Sequence, residues 1–264
     1  MDFVKVGDLN ICYEVTGVGH PLVMIMGLTA NMDWWDPGLI ALLSKRFKVV
    51  TFDNRGAGRT ETPGEGEFTI PQMADDTAAF MDAIGIGSAH VVGVSMGGMI
   101  AQELALRHPE KVNKLVLCVT FCGGKNTVYA EAEVLKVLAD GSGGPEAIMA
   151  RTLSIMFPEE WLEANPGYLD DFGERYLRAP TTGKNTVRQF VATTKLDTFD
   201  RLRSVEAPTL VLCGAEDILI PAVNSRTIAG QIPGARLKEY EGAGHGFNSQ
   251  CADEFLSDLL DFLA

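Results

Sequence analysis

The sequence predicts an α/β protein with a mostly parallel central sheet that is flanked by helices and interrupted by a helical cap. Short apolar, β-branched runs alternate with longer stretches at helical spacing, which is typical of βαβ units. Between residues 123 and 205 the strand pattern stops, and short helical stretches are separated by Gly and Pro. The pattern therefore predicts a core of residues 1–122 and 206–264, with a cap of residues 123–205.

The first part of the core alternates between strands and helices. After the hairpin, strands such as LVMIM and AHVVGV are apolar runs of the kind that is buried on both faces, and two of the helices end at Gly85 and Pro109. The predicted elements are, in order, a hairpin of residues 3–6 and 10–16, the strand LVMIM after Pro21, a helix beginning near Asp33 or Pro37, the strand FKVVTFD, a helix over residues 70–84, the strand AHVVGV, the helix SMGGMIAQELALRH and the strand KLVLCV.

Helices are predicted throughout the cap, and strands return in the second part of the core. EAEVLKVLAD, PEAIMARTLSIM, PEEWLEA and VRQFVATTKL are predicted to be short helices of the cap. PTLVLCG and RLKEYEG then restore the strand pattern, and the chain finishes with the helical sequence DEFLSDLLDFLA.

Charge and composition limit the classes of partner. The formal net charge is −13 among 264 residues, so the long-range field repels phosphate backbones and anionic membrane surfaces. No run of 18 apolar residues occurs, and the N-terminus lacks the apolar stretch of a signal peptide. The five cysteines have no C-x-x-C spacing, which favours reduced thiols. We therefore expect a cytoplasmic protein that binds neither nucleic acid nor membranes.

The sharpest local motif is the G-x-S-x-G sequence from Gly93 to Gly97, which lies between an apolar strand and a helix. A serine in so tight a turn adopts strained backbone angles, and glycines on both sides remove side chains that would collide. This strain would hold the Ser95 hydroxyl out toward a substrate. The N–H of Met96, at the start of the helix, can donate a hydrogen bond to an oxyanion.

A serine hydroxyl needs a base and an acid to become a good nucleophile. His245 lies between glycines in a loop after the last predicted strand, whereas the other three histidines lie near strand starts or before a proline. Asp217 follows the strand TLVLCG and comes between Ser95 and His245 in the chain, although the neighbouring Glu216 is a rival for the same role. These residues predict a Ser95–Asp217–His245 triad.

Together these motifs resemble those of the α/β-hydrolase superfamily over essentially the whole chain outside the cap. Beyond GVSMGG, the segment FDNRGAGRT resembles the D-x-R-G-x-G-x-S turn of that family, GAEDILIP its acid segment and GAGH its histidine loop. The resemblance implies a second oxyanion donor after the first buried strand. The family often has His-Gly there and this chain has Met26-Gly27, so the backbone N–H of Leu28 is the implied donor.

Other residues are interpreted as structural or are left open. Asp53, Arg55 and Arg59 are expected to form a structural corner, while Trp34 and Trp35 either line the pocket or pack the first helix. Phosphate-binding, dinucleotide-binding and H-E-x-x-H motifs are absent, so neither a cofactor nor a metal is predicted.

The predicted function is hydrolysis of a carboxylic ester or related acyl compound through an acyl-enzyme, most simply as a carboxylesterase acting on a small-molecule substrate. An enol-lactone or carbon–carbon bond hydrolase is the alternative, because SMGGMIAQ also resembles elbows of aromatic-degradation hydrolases. A non-catalytic small-molecule receptor with the same fold is a third reading. Whether the protein forms a homo-oligomer stays open.

Overall fold

Eight strands form one sheet in the computed structural model, which describes residues 1–264. The strands are β1 (Asp2–Val6), β2 (Leu9–Thr16), β3 (His20–Ile25), β4 (Phe47–Phe52), β5 (Ala89–Val94), β6 (Val112–Cys118), β7 (Thr209–Gly214) and β8 (Arg236–Tyr240). Their order across the sheet is β1-β2-β4-β3-β5-β6-β7-β8. Both the predicted fold class and the predicted N-terminal hairpin are confirmed.

Strand direction decides where loops meet. β1 and β2 pair antiparallel, and β2 runs antiparallel to β4, whereas all strands from β4 to β8 across the sheet are parallel. The carboxyl ends of β3, β5, β7 and β8 therefore share one edge of the sheet. Loops after these strands are brought together there, although they are far apart in the chain.

Both faces of the sheet are covered. Val23 and Ile25 belong to one hydrophobic cluster, while Leu22 and Met24 of the same strand belong to another. This alternation explains why the central strands are continuous apolar runs. The helices that flank the sheet are α1 (Pro37–Leu43), α2 (Ile70–Ala83), α3 (Met96–Arg107), α9 (Val223–Gln231), α10 (Phe247–Gln250) and α11 (Ala252–Leu263).

Between β6 and β7 the regular structure is entirely helical. We use the word cap for residues 123–205, which contain α4 (Ala132–Ala139), α5 (Pro145–Met156), α6 (Glu159–Ala164), α7 (Pro166–Leu177), α8 (Gly183–Thr194) and two short 3-10 helices. Helices α9 and α10 of the core were not among the predicted elements, and neither was α7. Helix α7 begins with Pro-Gly and is rich in acidic residues, and its apolar side chains at Tyr168, Phe172 and Tyr176 contact other cap residues and Trp34.

None of the helices combines the length with the apolar composition that crossing a bilayer requires. All five cysteines are free; four are buried, and Cys251 is half-buried.

Candidate active site

Ser95 forms the turn between β5 and α3 with φ 57° and ψ −120°. A Cβ on Gly93 would lie 2.8 Å from the Cα of Gly98, and one on Gly97 would lie 2.8 Å from the carbonyl oxygen of Met26. Contacts this short are forbidden to real side chains, so both glycines of the motif are sterically required. The local sequence thus permits a turn that few other sequences could form.

The strained conformation of Ser95 is held by hydrogen bonds on both sides of the residue. Its N–H donates to the carbonyl oxygen of Cys118 at 2.9 Å, and the hydroxyl of Thr120 donates to its carbonyl oxygen at 2.8 Å. Because the left-handed region costs a non-glycine residue about 1–2 kcal/mol, such a conformation persists only where the surroundings enforce it. The enforced turn presents the Ser95 side chain at the carboxyl edge of the sheet.

His245 and Asp217 form a buried pair. The Nδ1 atom of His245 lies 2.7 Å from Oδ2 of Asp217, and each residue is 5% exposed. The other carboxylate oxygen accepts hydrogen bonds of 2.8 Å from the N–H groups of Leu219 and Ile220. Glu216 is exposed and does not contact the imidazole through a hydrogen bond. The structure therefore pairs the histidine with Asp217 and not with its neighbour.

This pairing decides how the imidazole can act. A carboxylate oxygen accepts a hydrogen bond from the imidazole, which makes Nδ1 the donor, and in a neutral imidazole Nε2 is then left as an acceptor. Nε2 makes no hydrogen bond within the protein, and the Ser95 hydroxyl makes none either. The structure thus brings the acid and base together without a Ser95–His245 hydrogen bond, a contact that often tightens only when substrate is bound.

The histidine loop is seated against the end of β7. Gly214 lies so close to the carbonyl oxygens of Ala243 and Gly244 that no side chain would fit there. The N–H of Glu216 donates to the Ala243 carbonyl at 2.9 Å. From the cap, the carbonyl oxygen of Met156 accepts the N–H of Gly246 at 2.9 Å. Core and cap therefore both hold the backbone around His245.

The loop after β3, residues 26–32, supplies the implied oxyanion donor; we call it the oxyanion loop. A Cβ built on Gly27 would lie 3.6 Å from the Ser95 Oγ, so this backbone is directly beside the candidate nucleophile. The N–H of Leu28 makes no hydrogen bond within the protein. Met96 is the first residue of α3, so its N–H is one that the helix itself leaves unpaired.

The turn that follows β4 supports the oxyanion loop from the core. The Nδ2 of Asn54 donates to the Met26 carbonyl at 2.8 Å. Asp53 is fully buried and accepts the N–H groups of Met32 at 2.8 Å and Arg59 at 2.7 Å. Burial raises the pKa of Asp53, and these two donors oppose that effect. The interpretation of this turn as a structural corner is confirmed.

Arg55 and the two tryptophans also have structural contacts. The Arg55 guanidinium donates to both Asp8 and Asp76. Trp35 is 3% exposed and lies in the core, whereas the Trp34 ring is half-buried, with its centroid 5.1 Å from that of Phe172 in the cap. Packing roles are thus observed for both tryptophans, and pocket lining stays a prediction.

Cysteine thiols are poor rivals to Ser95 as nucleophiles. Burial raises the pKa of Cys12, Cys122 and Cys213 to about 11 in each case, and it also raises that of Cys118. The thiolate, which is the reactive form, is therefore scarce at neutral pH. No group of three or more His, Cys, Asp or Glu side chains is placed to hold a metal ion.

Several residues that shape the site were not predicted from the sequence. Gln189 and Thr181 of the cap hydrogen-bond to Thr29 of the oxyanion loop, and Asn54 holds the same loop from the core. Gln189 and Thr29 are 160 residues apart in the chain. No local motif marks such contacts.

Known proteins are similar to this chain in both sequence and architecture. A family model described as the alpha/beta hydrolase fold matches residues 20–142. The chain is 32% identical, over 99% of its length, to a protein of Azorhizobium caulinodans named "Putative carbamate hydrolase RutD", of which it covers 98%. The same name is carried by a protein of Caulobacter sp. that is 30% identical over 92% of this chain and 90% of its own length.

Solved structures of hydrolases superpose on nearly the whole chain. The enol-lactonase from Burkholderia xenovorans superposes with a TM-score of 0.86 at 27% identity, with 99% of each chain covered. A hydrolase from Pseudomonas aeruginosa also gives 0.86, at 26% identity, with 100% of this chain and 98% of the other covered. This chain is therefore a hydrolase that belongs to the α/β-hydrolase superfamily.

Proposed function

We propose that the protein is a serine hydrolase that cleaves a carboxylic ester or a related acyl bond. Ser95 is the nucleophile, His245 the general base, and Asp217 the acid that orients the imidazole. The observation that carries this proposal is the buried 2.7 Å contact between His245 and Asp217 at the same sheet edge as the strained Ser95 turn. Proximity of a serine, an imidazole and a carboxylate is the arrangement that acyl transfer requires.

The chemistry follows from the geometry of each group. The Ser95 hydroxyl attacks the acyl carbon while His245 Nε2 takes its proton, and the negative charge on the former carbonyl oxygen is bound by the N–H groups of Leu28 and Met96. His245 then protonates the leaving group, and an acyl-enzyme remains. Water, deprotonated by the same imidazole, attacks the acyl carbon; the bond to Ser95 breaks, His245 returns the proton to the Ser95 oxygen, and the acid product leaves. Removing one oxyanion donor typically lowers turnover about 100- to 1,000-fold.

For the substrate we propose a small to medium carboxylic ester, with access shaped by the cap. The likeness to an enol-lactonase, whose name denotes a cyclic ester as substrate, supports ester chemistry. Carbamate hydrolysis is a second candidate because relatives 28–32% identical over most of their length carry that name. The solved carbon–carbon bond hydrolases are 22–23% identical and support the fold alone.

A substrate panel tests this proposal. p-Nitrophenyl acetate, butyrate and octanoate, a phenyl carbamate, an enol-lactone and a vinylogous diketone would be compared at equal enzyme concentration. We expect the highest kcat/KM on a short acyl ester and loss of that activity in Ser95→Ala. A higher kcat/KM on the carbamate would replace the ester by the carbamate as substrate. Turnover of the diketone with no ester cleavage would contradict acyl-ester hydrolysis.

Labelling separates an enzyme from a receptor. A fluorophosphonate reacts with a serine only when a base and an oxyanion site activate it. We expect stoichiometric labelling of the folded wild-type protein at Ser95 and none in Ser95→Ala. Full folding without labelling would favour the non-catalytic receptor.

We also propose a cytoplasmic location, which the five free thiols support because disulfides are rare in reducing compartments. Cell fractionation of the native host tests it, and recovery outside the cytoplasm would contradict it.

A further inference from the structure

The oxyanion loop is held by two different parts of the chain. Its first peptide group is bound by the core, because Asn54 donates to the Met26 carbonyl oxygen at 2.8 Å. Two later peptide groups are bound by the cap through Thr29, whose N–H and carbonyl oxygen both have cap partners. The peptide group between Gly27 and Leu28 lies between these anchors and carries the unpaired N–H.

Gln189 of α8 is the cap residue at the centre of this arrangement. Its side chain is fully buried. Its Oε1 accepts the N–H of Thr29 at 2.9 Å, while its Nε2 donates to the carbonyl oxygen of Arg55, also at 2.9 Å. One amide therefore bridges the oxyanion loop to the polar turn that follows β4. The same two loops are also joined directly, by the hydrogen bonds from Asn54 to Met26 and from Met32 to Asp53.

Thr181 is the second cap residue that binds Thr29. Its hydroxyl donates to the Thr29 carbonyl oxygen at 2.7 Å. Close by, the Nδ2 of Asn31 donates to the carbonyl oxygen of Ala179 at 2.7 Å. Three hydrogen bonds thus tie residues 29–31 of the oxyanion loop to the segment leading into α8 and to α8 itself.

The backbone conformation of Thr29 explains why these hydrogen bonds from the cap are important. Thr29 has φ 62°, which is a costly conformation for a β-branched side chain. A residue there relaxes to ordinary backbone angles unless its surroundings prevent it. Relaxation at Thr29 would rotate the neighbouring peptide groups, including the one that carries the Leu28 N–H. The cap hydrogen bonds are the contacts that oppose this rotation.

We propose that Gln189 is a positioning residue for the oxyanion hole, so that docking of the cap aims the Leu28 N–H at the oxygen on which charge develops. The inference rests on the proposed serine hydrolase function. It adds a cap residue, remote from the triad in sequence, that acts through Thr29 on the transition state. A hydrogen-bond donor misplaced by about 1 Å can cost a large part of its catalytic effect.

Two substitutions at Gln189 and one control test this proposal. Gln189→Met keeps the side-chain length but removes both hydrogen bonds, whereas Gln189→Glu keeps an oxygen that can accept the Thr29 N–H. Lys195→Gln is the matched control, because Lys195 caps the same helix and pairs with Glu67 of the core through an exposed contact. kcat and KM would be measured on an ester that the wild type cleaves, together with the rate of fluorophosphonate labelling and a thermal melt.

We expect Gln189→Met to lower kcat and the labelling rate in parallel by about 10- to 100-fold, with KM within about threefold, since the lost interaction belongs to the transition state. The kcat of Gln189→Glu should be at least about threefold higher than that of Gln189→Met, and the kcat of Lys195→Gln should stay within about twofold of the wild-type value. A loss only of thermal stability, with kcat unchanged, would overturn the proposal. So would an equal loss of kcat in Lys195→Gln, which would assign the effect to cap attachment in general.

Failure of this inference is distinct from failure of the proposed function. If the wild type shows no turnover that depends on Ser95, the serine hydrolase proposal fails, and this inference falls with it. If the wild type is active and Gln189→Met retains its kcat, only the positioning role is wrong. Should Gln189→Met not fold, Thr181→Val removes a single hydroxyl from the same loop, and its kcat should fall several-fold without a matching rise in KM.

Discussion

Asp217 is hydrogen-bonded to His245, with 2.7 Å between its Oδ2 atom and the Nδ1 atom of the imidazole. The second oxygen of Asp217 is occupied by two backbone N–H groups of its own loop, so the carboxylate cannot turn away. A carboxylate fixed in this way selects one tautomer of the histidine and stabilises the imidazolium that forms when the serine proton is taken.

Asp217→Asn should lower kcat by about 1,000-fold or more, because an amide facing Nδ1 favours the wrong tautomer and cannot stabilise a charged imidazole. Steady-state kinetics on an ester measure this loss. The matched control is Glu216→Gln, since Glu216 follows the same strand but is exposed. A comparable loss in the control variant would show that the assignment of the acid is wrong.

Gly27→Ala should lower kcat by about 10- to 100-fold while leaving the fold intact. The new Cβ would lie 3.0 Å from the Ser95 Cβ, so either the nucleophile or the Leu28 N–H must shift. Kinetics and a thermal melt of the same preparation test the two parts of this expectation.

Gly230→Ala is the control for this change. Gly230 lies in α9 with no atom within 4 Å of a built Cβ, so its replacement should leave kcat unchanged and stabilise the protein by about 0.5 kcal/mol. Normal activity in Gly27→Ala would contradict the close approach of the oxyanion loop to Ser95.

Arg55→Met should lower the free energy of unfolding by about 2–3 kcal/mol, measured by urea denaturation. The Arg55 side chain is 5% exposed and binds two carboxylates, of which Asp76 is itself largely buried. Removing the cation leaves these acids without a partner, which is the costly way to break a buried pair.

Lys136→Met breaks an exposed i,i+3 pair with Glu133 and should change stability by less than about 0.5 kcal/mol. The kcat of the folded Arg55→Met protein should stay within about threefold, since the turn is structural. A large fall in kcat without loss of stability would instead assign Arg55 to the chemistry.

Stability should fall between pH 7 and pH 5 through His90. Burial, assisted by the neighbouring His20 and Lys114, lowers the pKa of His90 from 6.5 to about 4 in the folded protein. The unfolded chain therefore binds this proton first as the pH drops below 6.5, and stability declines until the folded-state pKa is reached. The loss from this residue should be about 1–2 kcal/mol at pH 5.

His90→Phe isolates this contribution, because Phe fills a similar volume and cannot take up a proton. The His90 ring packs 4.2 Å from that of His20 and 6.1 Å from that of Phe47, measured between centroids, so an aromatic replacement suits the site. Urea unfolding at pH 7 and pH 5 should show a smaller difference in the variant than in the wild type. Equal differences would contradict the prediction.

Local pattern was sufficient for the strands and for most helices, but not for α7, α9 and α10. The strands of the core are apolar runs bounded by turn residues, and the helix after Ser95 starts at a motif with its own steric signature. Helix α7 opens with Pro166 and Gly167, residues that are typical of a loop between helices. Its helical state is supported by packing of Phe172 and Tyr176 against Trp34, a contact that spacing along the chain does not reveal.

Spacing and steric rules act over a few residues, so the amino-acid sequence alone predicts the eight strands, the strained turn at Ser95 and the acid and histidine loops, but not the helices α7, α9 and α10. The pairing of the imidazole with Asp217, the exposure of Glu216 and the hydrogen bond from Thr29 to Gln189 of the cap become visible in three dimensions alone. Hydrogen bonds between distant residues depend on how strands and helices pack in three dimensions. Neighbouring residues in the chain do not encode that packing.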